Sequence, residues 1–231
     1  MKSKQYIPSL FTIANICCGF VAIAVADIFI GTAFLLVGIL MDTIDGFLAR
    51  KLNAVSEVGK QLDSLADVIS FGLAPAYLYL QIAPSDNWIF WFAPMMFLVG
   101  SALRLAKFNT LPSKLDYFIG LPTPIATLFL LGLFIGIQYD KAFYISSISH
   151  PLIYFTIPFA LMVLMLSNIK MFSLKSLDQG LAQNKLPVIC ISLFLLLLLV
   201  DFRIACSSIV VIYVLLSFLR RDPNQQADSR D

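Results

Sequence analysis

The chain has 231 residues, of which 59% are hydrophobic and 13% are charged, and its mean hydropathy is +0.87. These values lie well outside the usual range of soluble domains and place the chain in a lipid bilayer. The formal net charge of +2 is too small to indicate a nucleic acid as a partner. The four cysteines show neither metal-ligand spacing nor a secreted disulfide pattern, so we expect them to serve packing.

Apolar runs of about 20 residues are long enough to cross the hydrocarbon as helices. Eight runs are recognised, at 6–25, 28–50, 58–82, 87–107, 119–138, 151–168, 186–201 and 203–220. The last two adjoin, but Asp201 and Arg203 interrupt them, which favours a helical hairpin over one long block. Unbroken runs such as 189–200 do not fit the alternating pattern of a β-barrel. The sequence therefore predicts an all-α, polytopic membrane bundle of about eight transmembrane helices.

The basic residues are distributed unevenly about these spans. In an eight-span arrangement, 14 of the 16 Lys and Arg residues fall on one side, and Lys141 and Arg203 fall on the other. Cytoplasmic loops carry the excess of basic residues, so we expect that side and both termini to be cytoplasmic. The first span is too long, and too polar at Thr12 and Asn15, for a cleaved signal peptide, so we expect a retained helix.

Four aspartates lie near the ends of the second and third spans, where charge is costly in lipid. Asp42 and Asp45 are three residues apart and share one face of the second helix. On the third helix, Gly59, Asp63 and Asp67 are spaced four apart and form one stripe. The short connection, about residues 51 to 55, makes the two helices antiparallel neighbours. The sequence therefore predicts that the four carboxylates converge.

Carboxylates about 4 Å apart repel each other by roughly 4 kcal/mol per pair at an effective dielectric constant of about 20. A divalent cation relieves this repulsion. Oxygen ligands with no His or Cys nearby favour Mg²⁺, Mn²⁺ or Ca²⁺ over zinc. We therefore expect a site for two divalent ions, Mg²⁺ or Mn²⁺, which Ca²⁺ can also occupy. The alternative is a buried salt-bridge network with Arg50, Lys60, Arg104 and Lys107.

The acidic segment also carries a sequence motif. It reads Asp-x2-Asp-Gly-x2-Ala-Arg-x8-Gly-x3-Asp-x3-Asp and is matched without exception from Asp42 to Asp67. Eight fixed positions at fixed spacing across a helix-loop-helix are far more specific than a lone glycine-rich motif. In this segment the chain resembles the CDP-alcohol phosphatidyltransferases.

The resemblance implies transfer of a phosphatidyl group from a CDP-activated lipid to a hydroxyl acceptor, with release of CMP. Paired divalent ions suit this reaction, because they neutralise the diphosphate and hold the attacking and leaving oxygens in line. By family analogy, Asp42, Asp45 and Asp63 are metal ligands, and Asp67 completes the second metal site and acts as the catalytic general base. The resemblance also implies a bacterial or archaeal cytoplasmic membrane with the active site on the cytoplasmic side.

The same analogy assigns a group of residues to the cytidine nucleotide. Its small members let the nucleotide approach the helix backbones, and Arg50 can donate to phosphate as a planar fork. Thr12 and Asn15 belong to a Pro-x3-Thr-x2-Asn element similar to one in relatives, and they are open to nucleotide contact or to interhelical hydrogen bonding. The assigned residues are Thr12, Asn15, Gly46, Ala49, Arg50 and Gly59.

Three further segments, 70–75, 104–109 and 120–124, resemble the phosphatidylserine synthase branch of the family. The substrates implied are CDP-diacylglycerol and L-serine. Arg104 and Lys107, accompanied by Asn109, can hold either the serine carboxylate or the lipid phosphate. Ordinary positive flanking of a membrane helix is the alternative role for the two basic residues. Sibling enzymes that use glycerol phosphate, inositol or choline are the alternatives for the acceptor.

The resemblance also suggests how the chain is organised. We expect a six-helix CDP-alcohol phosphatidyltransferase core over 1–170, a cytoplasmic loop with two further helices over 171–220, and a disordered tail over 221–231. The last two spans carry no ionisable residue within their apolar runs, so they are expected to complete the bundle or a homodimer interface. A cation transporter is the alternative from another class, but its acids would lie near mid-membrane rather than cluster toward one face.

Overall fold

The structure, a computed structural model, describes residues 6–110, 117–148, 150–172 and 185–218. Each of the eight apolar runs contains at least one helix, and one short helix, α7, was not expected. The helices are α1 (Tyr6–Ala24), α2 (Ile28–Lys51), α3 (Glu57–Asp67), α4 (Ala74–Leu80), α5 (Phe92–Thr110), α6 (Thr123–Tyr139), α7 (Lys141–Ile148), α8 (Pro151–Leu166), α9 (Lys185–Val200) and α10 (Phe202–Phe218). Lys2, Lys4, Lys114, residues 173–184 of the predicted loop and the predicted tail at 221–231 lie outside the described residues.

The helices have the length and surface of a membrane protein. Three described helical segments are long and apolar enough to cross a bilayer, namely Tyr6–Val25, Ile28–Lys51 and Trp88–Thr110. Four shorter apolar helices accompany them, at Thr123–Tyr139, Pro151–Leu166, Leu186–Val200 and Phe202–Phe218. Large apolar side chains face outward, as at Leu10 and Phe20, an arrangement that lipid accommodates and water does not. The chain is therefore a helical integral membrane protein.

The third span is not one continuous α-helix. Between α3 and α4 the chain makes a π-helical turn, Val68–Leu73, after which the Ala74 N–H bonds to the Ile69 carbonyl. Most residues of this turn and of α4 are buried, because α1, α2, α5 and α6 surround them, whereas Leu73 is exposed. This part of the span is the centre of the bundle, and Phe71 and Leu78 are fully buried in it.

The expectation of a purely helical chain missed a small sheet. Strands β1 (Tyr117–Ile119) and β2 (Lys170–Phe172) pair antiparallel, with Phe118 opposite Met171. Gly120 follows β1 with a φ of 75°, and its N–H donates to the Ile169 carbonyl at 3.0 Å. Strands of three residues separated by about 50 positions are too short to produce a period in the sequence, so only the tertiary structure reveals the pairing.

The C-terminal helices form a hairpin that closes against α6. Helix α9 ends at Val200 and α10 starts at Phe202, with Asp201 at the break where the sequence predicted it. The Asp201 carboxylate accepts from the Arg203 backbone N–H at 2.8 Å and pairs with the Arg203 guanidinium. This pairing lowers the pKa of Asp201 to about 2. The guanidinium lies 4.4 Å from the centre of the Tyr139 ring, so the hairpin turn is held to the end of α6.

Helices α6 and α10 approach closely at Gly132. A Cβ at this position would lie 2.7 Å from the Ser207 backbone nitrogen and 2.8 Å from Cys206 Cβ. We expect Gly132→Ala to force the helices apart and to lower stability by about 1–3 kcal/mol, as overpacking usually does. Thermal unfolding of the purified protein in detergent measures this. Gly46→Ala is the control, because its Cβ would meet no described side chain closer than Arg50 Nη1, at 3.6 Å. Equal unfolding temperatures for the two variants would contradict the α6–α10 contact.

Candidate active site

A short capped turn determines how α3 returns beside α2. Asn53 ends α2 in the left-handed conformation, with φ at 48°, and its N–H donates to the Arg50 carbonyl at 3.1 Å. Ser56 then caps α3, its hydroxyl accepting from the Gly59 N–H at 3.0 Å. Both α2 and α3 pack against α1 more than against each other. The backbones of α2 and α3 are therefore not closely packed, and side chains make the contacts between these two helices.

The spacing of the four aspartates places them at two depths. Asp42 precedes the end of α2 by nine residues and Asp67 follows the start of α3 by ten. At 1.5 Å per residue, both lie about 14 Å along their helices from the turn. Asp45 and Asp63 are each six residues from the turn, or about 9 Å. One carboxylate from each helix therefore lies at each depth.

Three of the four carboxylates meet. Asp42, Asp63 and Asp67 each offer an oxygen, and these oxygens all lie within 4.8 Å of one another. Asp42 and Asp67 are within hydrogen-bonding contact, which two carboxyl groups tolerate only by sharing a proton or a cation. The Asp45 carboxylate lies outside this group of three, but it interacts with the charge of Asp63 and borders the hydroxyl of Thr12.

The donor set fits a divalent cation. Asp45 Oδ2 and Asp67 Oδ1 are both buried without a hydrogen-bond partner among the described residues. Three ionised carboxylates at these separations repel each other by roughly 3 kcal/mol per pair at an effective dielectric constant of about 20. Oxygen-only ligands in such a group suit Mg²⁺, Mn²⁺ or Ca²⁺. Asp42, Asp63 and Asp67 could hold one ion, and Asp45 offers a further oxygen at the shallower depth.

Arg104 is a buried basic residue beside the acids. It is only 6% exposed, and its charge acts on Asp67. Its Nη1 donates to the Thr123 hydroxyl at 3.0 Å, whereas its Nε is buried with no hydrogen-bond partner in the described part of the chain. A buried guanidinium beside a carboxylate is part of the salt-bridge alternative, but the unpartnered Nε leaves a donor for a further anion.

The other two residues expected to bind the acceptor have protein partners. Lys107 is exposed, and its Nζ donates to Asn168 Oδ1 at 2.7 Å. Asn109 Nδ2 donates to the Ser64 hydroxyl of α3 at 2.9 Å. These contacts join α5 to α3 and to the segment that leads into β2. Of the three predicted residues, Arg104 is the one that the structure brings to the acids.

The residues expected to bind the nucleotide lie around Asp45, one of the two aspartates nearer to the α2–α3 turn. Thr12 is buried beside Asp45 and donates to the Pro8 carbonyl of its own helix at 3.2 Å. The space beside Gly46 is open, since the nearest described atom to an added Cβ is Arg50 Nη1 at 3.6 Å. Ala49 is half-buried and Arg50 is exposed one turn further along α2.

Asn15 lies one turn deeper than Thr12 and is fully buried. A Cβ added at Gly38 would lie 3.0 Å from Asn15 Oδ1, so the amide is pressed against α2. Neither side-chain atom of Asn15 has a hydrogen-bond partner within the described residues. Its side chain therefore makes no interhelical hydrogen bond there.

Three polar residues near the site were not singled out from the sequence. Thr123 holds Arg104, Ser64 holds Asn109, and Asn168 holds Lys107. Thr123 belongs to the 120–124 segment that resembles the family, and Ser64 directly follows the motif residue Asp63. The sequence position of both residues therefore indicated that they lie near the site. Asn168 lies 61 residues from its partner Lys107, and nothing in the sequence indicated that the two residues are in contact.

The fold and site together define an integral membrane protein with a cluster of carboxylates from two neighbouring helices. Residues 5–172 match the CDP-alcohol phosphatidyltransferase family, and the chain belongs to that family. This match confirms the resemblance inferred from the aspartate motif. Helices α9 and α10 lie beyond the matched residues.

Curated relatives carry closely related names. The chain is 41% identical over 126 residues to a CDP-diacylglycerol-serine O-phosphatidyltransferase of Bacillus subtilis, covering 53% of this chain and 71% of that protein. It is 31% identical over 192 residues to a protein of the same name from Helicobacter pylori, covering 80% of each. It is 32% identical over 170 residues to an archaetidylserine synthase of Methanothermobacter thermautotrophicus, covering 71% of this chain and 68% of that protein.

Because the carboxylates repel one another, a bound cation should stabilise the fold. We expect free Mn²⁺ at 100 times its dissociation constant to stabilise the protein by about 2.7 kcal/mol, and a chelator to reverse the effect. Thermal unfolding in detergent with and without Mn²⁺ measures this. Asp63→Asn should lose most of the response, whereas Asp201→Asn, which alters a half-buried aspartate at the α9–α10 turn, should keep it. A response that survives Asp63→Asn would contradict the site.

Proposed function

We propose that this chain is a CDP-diacylglycerol-serine O-phosphatidyltransferase, which transfers the phosphatidyl group of CDP-diacylglycerol to the hydroxyl of L-serine and releases CMP. The observation that carries the proposal is the group of carboxylates from Asp42, Asp63 and Asp67, formed by a family motif that is complete in this chain. The names of the relatives support serine as the acceptor. One of these relatives is named an archaetidylserine synthase, which is also a name for transfer to serine.

We assign the metal-binding role to Asp42, Asp45, Asp63 and Asp67, with two Mg²⁺ or Mn²⁺ ions as the resident cofactor. When bound, the ions would neutralise the diphosphate and hold the reacting oxygens in line. The two-depth arrangement supports this assignment, because each depth provides a carboxylate from both helices. The buried, unpartnered Oδ2 of Asp45 is available as a ligand.

Asp67 is the general base in this proposal. Its carboxylate would accept the proton of the serine hydroxyl as the serine oxygen forms a bond to the phosphatidyl phosphorus. The bond from that phosphorus to the oxygen of CMP breaks, and CMP leaves with the bonding electrons. A base must lie within hydrogen-bond reach of the proton that it removes. The unpartnered Oδ1 of Asp67 offers a free acceptor for this proton.

The anionic groups of the substrates would be held by two arginines. Arg50, exposed at the end of α2, is assigned to the nucleotide phosphates together with Thr12, Asn15, Gly46, Ala49 and Gly59. Arg104, buried beside Asp67, is assigned to the serine carboxylate or the lipid phosphate through its unpartnered Nε. Lys107 and Asn109 support that role from their contacts with Asn168 and Ser64.

The membrane arrangement is also part of the proposal. We infer eight spans with both termini and the active site on the cytoplasmic side of a bacterial or archaeal membrane. The excess of basic residues on one side supports this, with 14 of 16 there in the eight-span arrangement. The core would span 1–170, the loop with α9 and α10 would span 171–220, and a tail would follow. The contact of α10 with α6 supports completion of the bundle, and the outer face of α9 is open to lipid or to a second copy.

A panel of acceptors tests the proposed substrate. Purified protein with CDP-diacylglycerol and Mn²⁺ should form phosphatidylserine and CMP from serine. Glycerol phosphate, inositol and choline should give little product, because the relatives that the chain resembles are named for transfer to serine. Thin-layer separation of radiolabelled lipid products measures this. A product from another alcohol and none from serine would refute the acceptor, while leaving the family assignment intact.

The role of Asp67 has a separate test. Asp67→Asn should lower kcat by at least about 100-fold, which is the low end of what general acid-base catalysis contributes. The carboxamide has nearly the same shape, so the unfolding temperature without metal should change little. Release of CMP and thermal unfolding are the two measurements. Asp86→Asn, in the exposed loop before α5, is the matched control and should retain activity. An active Asp67→Asn enzyme would exclude the residue as the base.

A further inference from the structure

The π-helical turn, Val68–Leu73, starts at the residue after Asp67. Two buried hydroxyl groups tie this turn to neighbouring helices. Ser70 Oγ donates to the Asn15 carbonyl of α1 at 2.8 Å, and Thr127 Oγ1 of α6 donates to the Phe71 carbonyl at 2.9 Å. All four of these residues are fully buried. The turn is therefore held by hydrogen bonds from two sides.

Close packing holds the same turn from two of its neighbours. A Cβ at Gly19 of α1 would lie 2.6 Å from Ser70 Oγ and 2.9 Å from Ser70 Cα. A Cβ at Gly72 would lie 3.3 Å from the Ser101 Cβ of α5. Only glycine allows α1 to approach the turn this closely. The turn thus has little freedom to shift or to change its winding.

The winding of this turn determines the direction of the acids on α3. A π-helical turn holds one residue more than an α-helical turn, and such turns are rare and frequent at functional sites. Successive residues of an α-helix are separated by about 100°. If the turn relaxed to α-helical winding while α4 stayed fixed in the core, α3 would rotate about its axis by a large part of that angle. Asp63 and Asp67 would then face away from Asp42.

We infer that Thr127 and Ser70 are positioning residues, which hold the π-helical turn and thereby direct Asp63 and Asp67 toward Asp42. The inference rests on the proposed function, since the ions are what the directed acids would bind. It gives a structural role to the 70–75 segment, which resembles the phosphatidylserine synthase branch in sequence but has no role assigned by that resemblance. Neither hydroxyl needs to touch a substrate or an ion.

The variant Thr127→Val tests the inference. It keeps the shape of the side chain and removes the hydroxyl that the Phe71 carbonyl accepts from. We expect Mn²⁺ to bind roughly 10-fold more weakly, as is typical when a residue that orients a metal ligand is lost. Electron paramagnetic resonance of free Mn²⁺ in detergent measures the affinity without activity. The Mn²⁺ concentration for half-maximal rate should rise by a similar factor, with a smaller change in kcat at saturating Mn²⁺. Thr127→Ser should restore the wild-type affinity.

Thr156→Val is the matched control. Its hydroxyl donates at 2.7 Å to the Leu152 carbonyl of its own helix, α8, so its loss leaves the π-helical turn intact. Wild-type affinity in Thr127→Val, or equal weakening in Thr156→Val, overturns the inference. Should Thr127→Val fail to fold, Ser70→Ala is judged by the same affinity measurement, and an unchanged value there overturns the inference. A wild-type protein that binds no Mn²⁺ would instead overturn the proposed metal site, and the inference with it.

Discussion

The main physical constraint on this structure is the repulsion among aspartates that the fold holds close together between two membrane helices. Asp42, Asp63 and Asp67 place carboxylate oxygens within 4.8 Å of one another, and Asp45 lies beside them. Such a group is unfavourable unless a proton or a cation is shared. A bound divalent ion would offset the repulsion and would at the same time provide positive charge for a diphosphate substrate. The same arrangement that is costly for folding is therefore useful for phosphatidyl transfer.

The surrounding fold keeps this group in place. Helix α1 packs against both α2 and α3, so the gap between the acids is fixed by a third helix rather than by contact of the two. Helix α5 brings the Arg104 charge to Asp67, and Thr123 at the start of α6 fixes its guanidinium. The π-helical turn after Asp67 links the acids to the buried centre of the bundle. The site is thus supported by five of the helices.

The sequence predicted the parts of the site that follow from local spacing. The meeting of Asp42, Asp63 and Asp67 follows from the motif and from the short turn between α2 and α3, whereas Asp45 lies outside this group although the spacing predicts that all four converge. The π-helical turn could not be predicted, because residues 68–80 are almost all apolar whether they are buried or partly exposed, so no periodicity in the sequence indicates the winding. The β1–β2 pairing and the partner of Lys107 depend on residues about 50 and 61 positions apart, which spacing does not reveal.

Anomalous diffraction from crystals grown with Mn²⁺ tests the central claim most directly. Two manganese peaks about 3.5–4 Å apart, lying between α2 and α3 in contact with the four aspartates, are the predicted result. Peaks confined to other parts of the protein, with the aspartate side chains turned away from each other, would contradict the account.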